Sequence, residues 1–92
     1  MIVRISTEGQ WRVSGGSLDR LNDVDNRLVD AIARGDKDKF KILYPQLFSI
    51  VRNEGDPVPE DEIVESDIVL PPPDASFAEV RNLFQGEGLV PD

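Results

Sequence analysis

Apolar and polar residues alternate over the first positions of the chain: Val3, Ile5, Trp11 and Val13 interleave with Arg4, Ser6, Gln10 and Arg12 around a break at Thr7-Glu8-Gly9. A period of two marks extended strands, and a break ending in Gly predicts a β-hairpin. A two-residue loop at Glu8-Gly9 sets Ile5 against Arg12 and scatters the apolar residues over both faces. A three-residue loop, Thr7-Glu8-Gly9, pairs Ile5 with Trp11 and Val3 with Val13 and gathers all four on one face. It also puts Gly9 at the left-handed position of a loop with a G1 bulge. The predicted hairpin covers residues 1–14, with Gly9 and Trp11 as its structural residues and Arg4 opposite Arg12 on the polar face. Isolated hairpins are marginal in water, so the apolar face must lie on a core.

The period then changes to that of a helix. Leu18, Leu21, Val24, Leu28, Ala31 and Ile32 form one stripe. Ser14-Gly15-Gly16 reads as a flexible joint, Ser17 as N-cap, and Gly35 as the stop, which predicts a first helix over 17–34. Asp23 with Arg27 and Asp30 with Arg34 stand four apart in the favourable order. Asp36 opens a second helix over 36–54, with Phe40, Leu43, Tyr44, Leu47, Phe48, Ile50 and Val51 on its apolar face. Pro45 lies inside it, removing a backbone donor, and predicts a kink because the periodicity continues across it. The short connection makes the two helices an antiparallel hairpin.

Residues 56–74 are an acidic, proline-rich segment in which Ile63, Val64, Ile68, Val69 and Leu70 suggest an extended stretch tacked onto the domain. Ser76 and Glu79 make a capping box for a short third helix over 76–85, predicted to bury Phe77, Val80, Leu83 and Phe84. Leu89-Val90 near the end is expected to dock. The expected architecture is α+β: an N-terminal β-hairpin packed on an antiparallel helical hairpin, an acidic loop and a short third helix, one domain over residues 1–92.

Charge changes the picture more than size does. The net charge is −8 over 92 residues, and it is split. Residues 1–52 hold nine Lys and Arg against seven acids, whereas residues 53–92 hold Arg81 against eleven. Nucleic-acid binding needs a basic stripe, which is missing, so no nucleic-acid partner is expected. An acidic half suits a solvated surface or a basic protein partner. There is no cysteine, hence no disulfide and no thiolate metal site. No segment has the apolar length of a signal peptide or a membrane span, so the expected location is cytoplasmic without direct membrane insertion.

The chemistry inventory is thin. No histidine is present to activate a nucleophile, and the three lysines crowd residues 37–41 on the polar side of the second helix. Acids abound in "PEDE", but a general acid needs a desolvated carboxylate with a raised pKa, and a proline-rich acidic loop is normally wet. Counting a calcium loop from Asp56 puts Val58 third, Asp61 sixth and Asp67 twelfth, which fails the pattern. The glycines at 15–16 and 86–88 lack the context of a phosphate cradle. The expectation is no enzyme, no catalytic residue, no metal and no cofactor.

Three kinds of residue stand out instead. Asp25 projects at the edge of the first helix's apolar stripe and reads as a rim acid bonded to Arg81 or to loop amides, or as a post fixing the third helix or the proline loop against the first helix. Arg4 and Arg12 read as solvated charges, or as an edge that receives acids, from the chain's own loop or from another protein. Ile42 points away from the stripe of the second helix and is a candidate for a partner surface.

Four stretches, "MIVRISTEGQWRV", "LDRLNDVDNRLVDAI", "SDIVLPPPDASFAEVRNLF" and "EGLVP", resemble the PspAA family in order and over nearly the whole chain. These are small proteins associated with the phage-shock protein PspA. Pro45 within the second helix is unusual for the pattern. The resemblance implies a non-enzymatic adaptor of a membrane-stress response, with a PspA-like coiled-coil protein as partner, held near the membrane through it. It carries over no catalytic residue. Two rival classes are a small metal-dependent enzyme using the acidic loop, and a homodimer whose hairpins pair edge to edge with no link to PspA.

Overall fold

The computed structural model of the protein describes residues 1–83. In chain order it places strands β1 (Ile2–Ile5) and β2 (Gly9–Arg12), helices α1 (Gly15–Ala33) and α2 (Lys37–Glu54), strands β3 (Asp56–Pro57) and β4 (Ile68–Leu70), and helix α3 (Phe77–Leu83). The fold is α+β. The hairpin expected at the N-terminus is the middle of a four-stranded mixed sheet of order β3-β2-β1-β4. β4 runs parallel to β1, with Val3 beside Ile68 and Ile5 beside Leu70, and β3 runs antiparallel to β2. Both strands of the hairpin are therefore covered, and neither is free to pair edge to edge with a second copy.

The hairpin register differs from the expected one. Val3 faces Trp11, Arg4 faces Gln10, Ile5 faces Gly9 and Ile2 faces Arg12. The loop is Ser6-Thr7-Glu8, closed by the Glu8 amide donating to the Ile5 carbonyl at 2.9 Å. Gly9 does take a positive φ of 125°, but as the first residue of β2 and not as the last of the loop. The shift of two residues keeps every side chain on its expected face, since the period is two. It also removes the like-charge opposition of Arg4 and Arg12, which favours the observed pairing.

Helix α1 starts earlier than its predicted cap. Ser14 is the N-cap, its hydroxyl accepting from the Ser17 amide, and Gly15-Gly16 are the first turn, not a joint. Ser17 is inside the helix and buried. At the other end the Gly35 amide donates to the Ile32 carbonyl and the Asp36 amide to the Ala31 carbonyl, with Gly35 at φ 68°. These two bonds make a Schellman stop, which satisfies carbonyls the helix leaves open. Asp36 then caps α2 by accepting from the Lys39 amide at 3.1 Å. Helix α2 continues through Pro45, which sits on its exposed side.

One core joins the layers. Val3, Ile5, Ile68 and Leu70 from the sheet meet Leu21, Leu28, Leu47, Phe48 and Val51 from the helices, and Val80 closes it from α3. Trp11 is only half-buried, packed against this cluster from its rim. Along α2 Phe40 stacks on Tyr44 and Tyr44 meets Phe48 edge-on, while Phe77 meets Phe40 edge-on at 5.4 Å. Leu83, expected inside, is exposed. The expected burial of Phe84, the helix end at 85 and the docking of Leu89-Val90 lie outside the described residues.

Candidate functional site

Two surfaces carry the residues singled out from the sequence. The first is the outer, polar face of the sheet. The acidic segment crosses it as a strap. Gln10 Nε2 donates to the Val64 carbonyl at 3.1 Å and to the Ser66 hydroxyl at 2.7 Å. Arg4 Nε reaches the same Ser66 hydroxyl at 3.3 Å, and the Asp67 carboxylate accepts from the Ile2 amide at 2.7 Å. Arg12 forms an ion pair with Glu62. Arg4 and Arg12 thus both contact the chain's own acidic segment, Arg4 through a serine and Arg12 through an acid, while staying exposed to solvent. The Glu62 carboxylate, by hydrogen bond and by charge, raises the Arg12 guanidinium's pKa.

Beside the hairpin turn, this face has a polar hollow of about 360 Å³ bordered by Arg4, Thr7, Glu8, Gln10, Glu60 and Glu62. Its Glu8 carboxylate is held as an anion. Arg52, reaching over from α2, hydrogen-bonds Glu8 and keeps its pKa below the usual 4.5. A general acid needs the opposite shift. Among the described residues, no cluster of three or more acids has the arrangement to hold a metal ion.

The second surface is a groove between α1 and α2 on their solvent side. It encloses about 450 Å³, with Asp23, Asn26, Arg27 and Asp30 on the α1 wall and Lys39 and Ile42 on the α2 wall. Ile42 is 63% exposed there, while its neighbour Leu43 belongs to the buried core. Asp23 pairs with Arg27 and Asp30 with Arg34, each at 3.2 Å. The residues follow from helix geometry: positions 23, 26, 27 and 30 share one face, and the antiparallel partner brings its own off-stripe residues alongside.

Asp25 sits in neither surface. It is 1% exposed, so it is a buried acid and not one on the rim. Gly9 and Trp11 occupy the sheet, and Trp11 lies across from Pro57 of β3. Ser76 and Glu79 face each other at the start of α3, the Glu79 amide donating to Ser76 Oγ at 3.2 Å and the Ser76 amide to the Glu79 carboxylate at 3.4 Å.

Sequence reasoning missed the strap's anchors, Gln10, Ser66 and Asp67, and the groove's charged walls. The one available signal for the strap was a serine between two acids next to an apolar triplet, Glu65-Ser66-Asp67 before Ile68. For the groove it was the stepping of Asp23, Arg27 and Asp30 along one helix face.

The family model described as PspAA, PspA-Associated protein, matches residues 1–92, the whole chain. No curated protein and no solved structure matches it. No helix among the described residues is long and apolar enough to cross a membrane.

Proposed function

The chain belongs to the PspA-associated family, and from that premise we propose that it is a non-enzymatic adaptor of a PspA-type membrane-stress response. It acts by binding a PspA-like coiled-coil protein, stays in the cytoplasm and reaches the membrane only through that partner. The observation that carries this reading is the family match over the full length of the chain. The arrangement of the two surfaces supports it. On the hairpin face Arg12 pairs with Glu62 and Arg4 bonds Ser66, both in the chain's own acidic segment, so these side chains already make contacts within the molecule. The helical hairpin keeps an unspent apolar residue, Ile42, in a groove walled by charges. A protein that works by contact needs such a surface and no raised carboxylate.

Co-purification tests it. The tagged chain retains the PspA of the same organism at low salt, and added salt weakens the association, because exposed charges are screened over about 8–10 Å at physiological ionic strength. Absence of PspA from the eluate at low salt would overturn the proposal.

A further inference from the structure

We infer that the chain's own C-terminal segment, through Leu89 and Val90, occupies an apolar groove at the β4 edge of the sheet and covers Val69 and Leu83. This contact is internal to the chain and holds whether or not the protein binds PspA.

The groove encloses about 380 Å³ between Ser6, just past β1, the Val69–Pro72 stretch of β4 and its exit, and Leu83 at the end of α3. Val69 stands beside Arg4 in the register of β4 on β1, so it projects from the outer, polar face of the sheet. It is nevertheless an apolar residue and 57% exposed. Leu83, brought in by a different element, is 56% exposed on the same groove. Single apolar residues on a surface are ordinary, but two elements converge here, with Pro72 between them. β4 is also an end strand, with no strand beyond it among the described residues. Folded proteins cover or blunt such edges. The acidic strap is bonded to Arg4, Gln10 and Arg12 and leaves this side of the face open.

The course of the chain names the occupant. Leu83 is the last described residue and itself borders the groove, so residues 84–92 start there. Leu89 follows six positions later, within about 20 Å even for a fully extended chain. The segment carries Leu89 and Val90 as an apolar pair, and Gly86 and Gly88 give it the freedom to turn back. Tethering supplies an effective concentration of about millimolar order, so a small contact suffices. A separate protein needs much more, about 800 Å² on each side of a standard interface. A second copy pairing along β4 has three residues to pair with, and three prolines follow them.

The chain has no cysteine, so introduced pairs test the contact in the full protein. Val69→Cys with Leu89→Cys, and Val69→Cys with Val90→Cys, are oxidised by glutathione disulfide at micromolar protein. A disulfide needs Cα atoms about 4.4–6.8 Å apart. At least one pair closes within the monomer, seen as a faster band on a non-reducing gel that dithiothreitol reverses. Ile63→Cys with Leu89→Cys, its first site standing free on the strap, closes about tenfold more slowly. Equal rates from Ile63 and Val69 overturn the groove as the docking place. Disulfides formed only between chains, faster at higher protein concentration, overturn the segment in favour of a second copy. A cysteine-free readout is the melting temperature. Leu89→Ser with Val90→Ser lowers it in the wild-type chain and leaves it nearly unchanged in a Val69→Ser chain, because residues in contact are coupled. The same change in both backgrounds, zero included, overturns the contact.

Discussion

The hydroxyl of Ser17 donates to the carboxylate of Glu54 at 2.9 Å, tying the first turn of α1 to the last turn of α2 across 37 residues of sequence. Ser17 is buried, and Arg20 grips the same carboxylate from the solvent side. The two helices are joined at one end by the tight turn around Gly35 and at the other by this triad. Across the molecule, Arg52 of α2 pairs with Glu8 of the hairpin loop in the same way.

Acid should therefore loosen the fold. Hydrogen bonds from Arg20 and then Ser17 hold the Glu54 carboxyl below its ordinary 4.5, and the hydrogen bond from Arg52 does the same for Glu8. A group with a depressed folded-state pKa contributes stability that is fully present above the unfolded value. That stability is lost as pH falls through the folded value. The urea midpoint of the wild-type chain should hold steady above the ordinary carboxylate range and then decline below it. Glu54→Gln should start lower and decline less. Parallel curves for the two proteins would contradict the assignment.

Removing the other partner separates packing from charge. Ser17→Ala keeps the helix and the Arg20 pair but deletes a buried donor. The melting temperature should drop by about 4–8 °C, the shift for one such hydrogen bond in a domain of this size. Ser14→Ala, which deletes the cap instead, should cost a similar amount. An unchanged Ser17→Ala melt would mean that the Glu54 contact contributes nothing.

The division of labour between sequence and tertiary contact is visible in particular residues. The faces of the hairpin were legible because Val3, Ile5, Trp11 and Val13 share a parity, and any even shift of register preserves it. The register itself was not, because Arg4, Gln10 and Arg12 are placed by a strap some fifty to sixty residues away in sequence. β4 was legible as an extended stretch at Ile68, Val69 and Leu70, but not as a strand of the hairpin's sheet, because that pairing exists only when β1 lies beside it. Ser17 reads as the cap from the sequence alone, whereas in the fold Ser14 takes that place and Ser17 lies inside the helix, its hydroxyl committed to Glu54. Ile42 was legible as an off-stripe residue, while its groove exists only when both helices are in place.

Tyr44 gives a spectroscopic handle on the proline segment. Its hydroxyl donates to the Pro72 carbonyl at 2.9 Å, and burial, aided by the charges of Asp74 and Glu79, pushes its pKa above the ordinary 10.0. As the chain's one tyrosine, its phenolate absorbance reports this site alone. A raised folded-state value means stability that is present below pH 10 and lost as pH rises towards that value. The phenolate should appear well above pH 10 in the folded chain and near 10 in urea. Tyr44→Phe leaves the Pro72 carbonyl without its donor and should cost about 1 kcal/mol. Ionisation at the same pH in both states would show that the hydroxyl is not buried.

Two glycines should respond to alanine with opposite signs, for reasons the backbone makes explicit. Gly55 ends α2 at φ −85°, a conformation open to any residue, so its constraint is space. A Cβ there meets the Val51 carbonyl oxygen at 2.6 Å and Trp11 Cβ at 3.0 Å. Neither neighbour yields cheaply, since one is helix backbone and the other is anchored in β2. Gly55→Ala should cost about 1–3 kcal/mol as overpacking. Gly16 lies in the first turn of α1, with nothing within 4 Å of an added methyl and no positive φ. Gly16→Ala removes freedom from the unfolded chain alone and should stabilise by about 0.4–1 kcal/mol. Urea unfolding followed by the fluorescence of Trp11, the single tryptophan, measures both. Loss of stability in both variants would mean that the first turn of α1 needs the glycine's freedom, and the helix start at Gly15 would then be wrong.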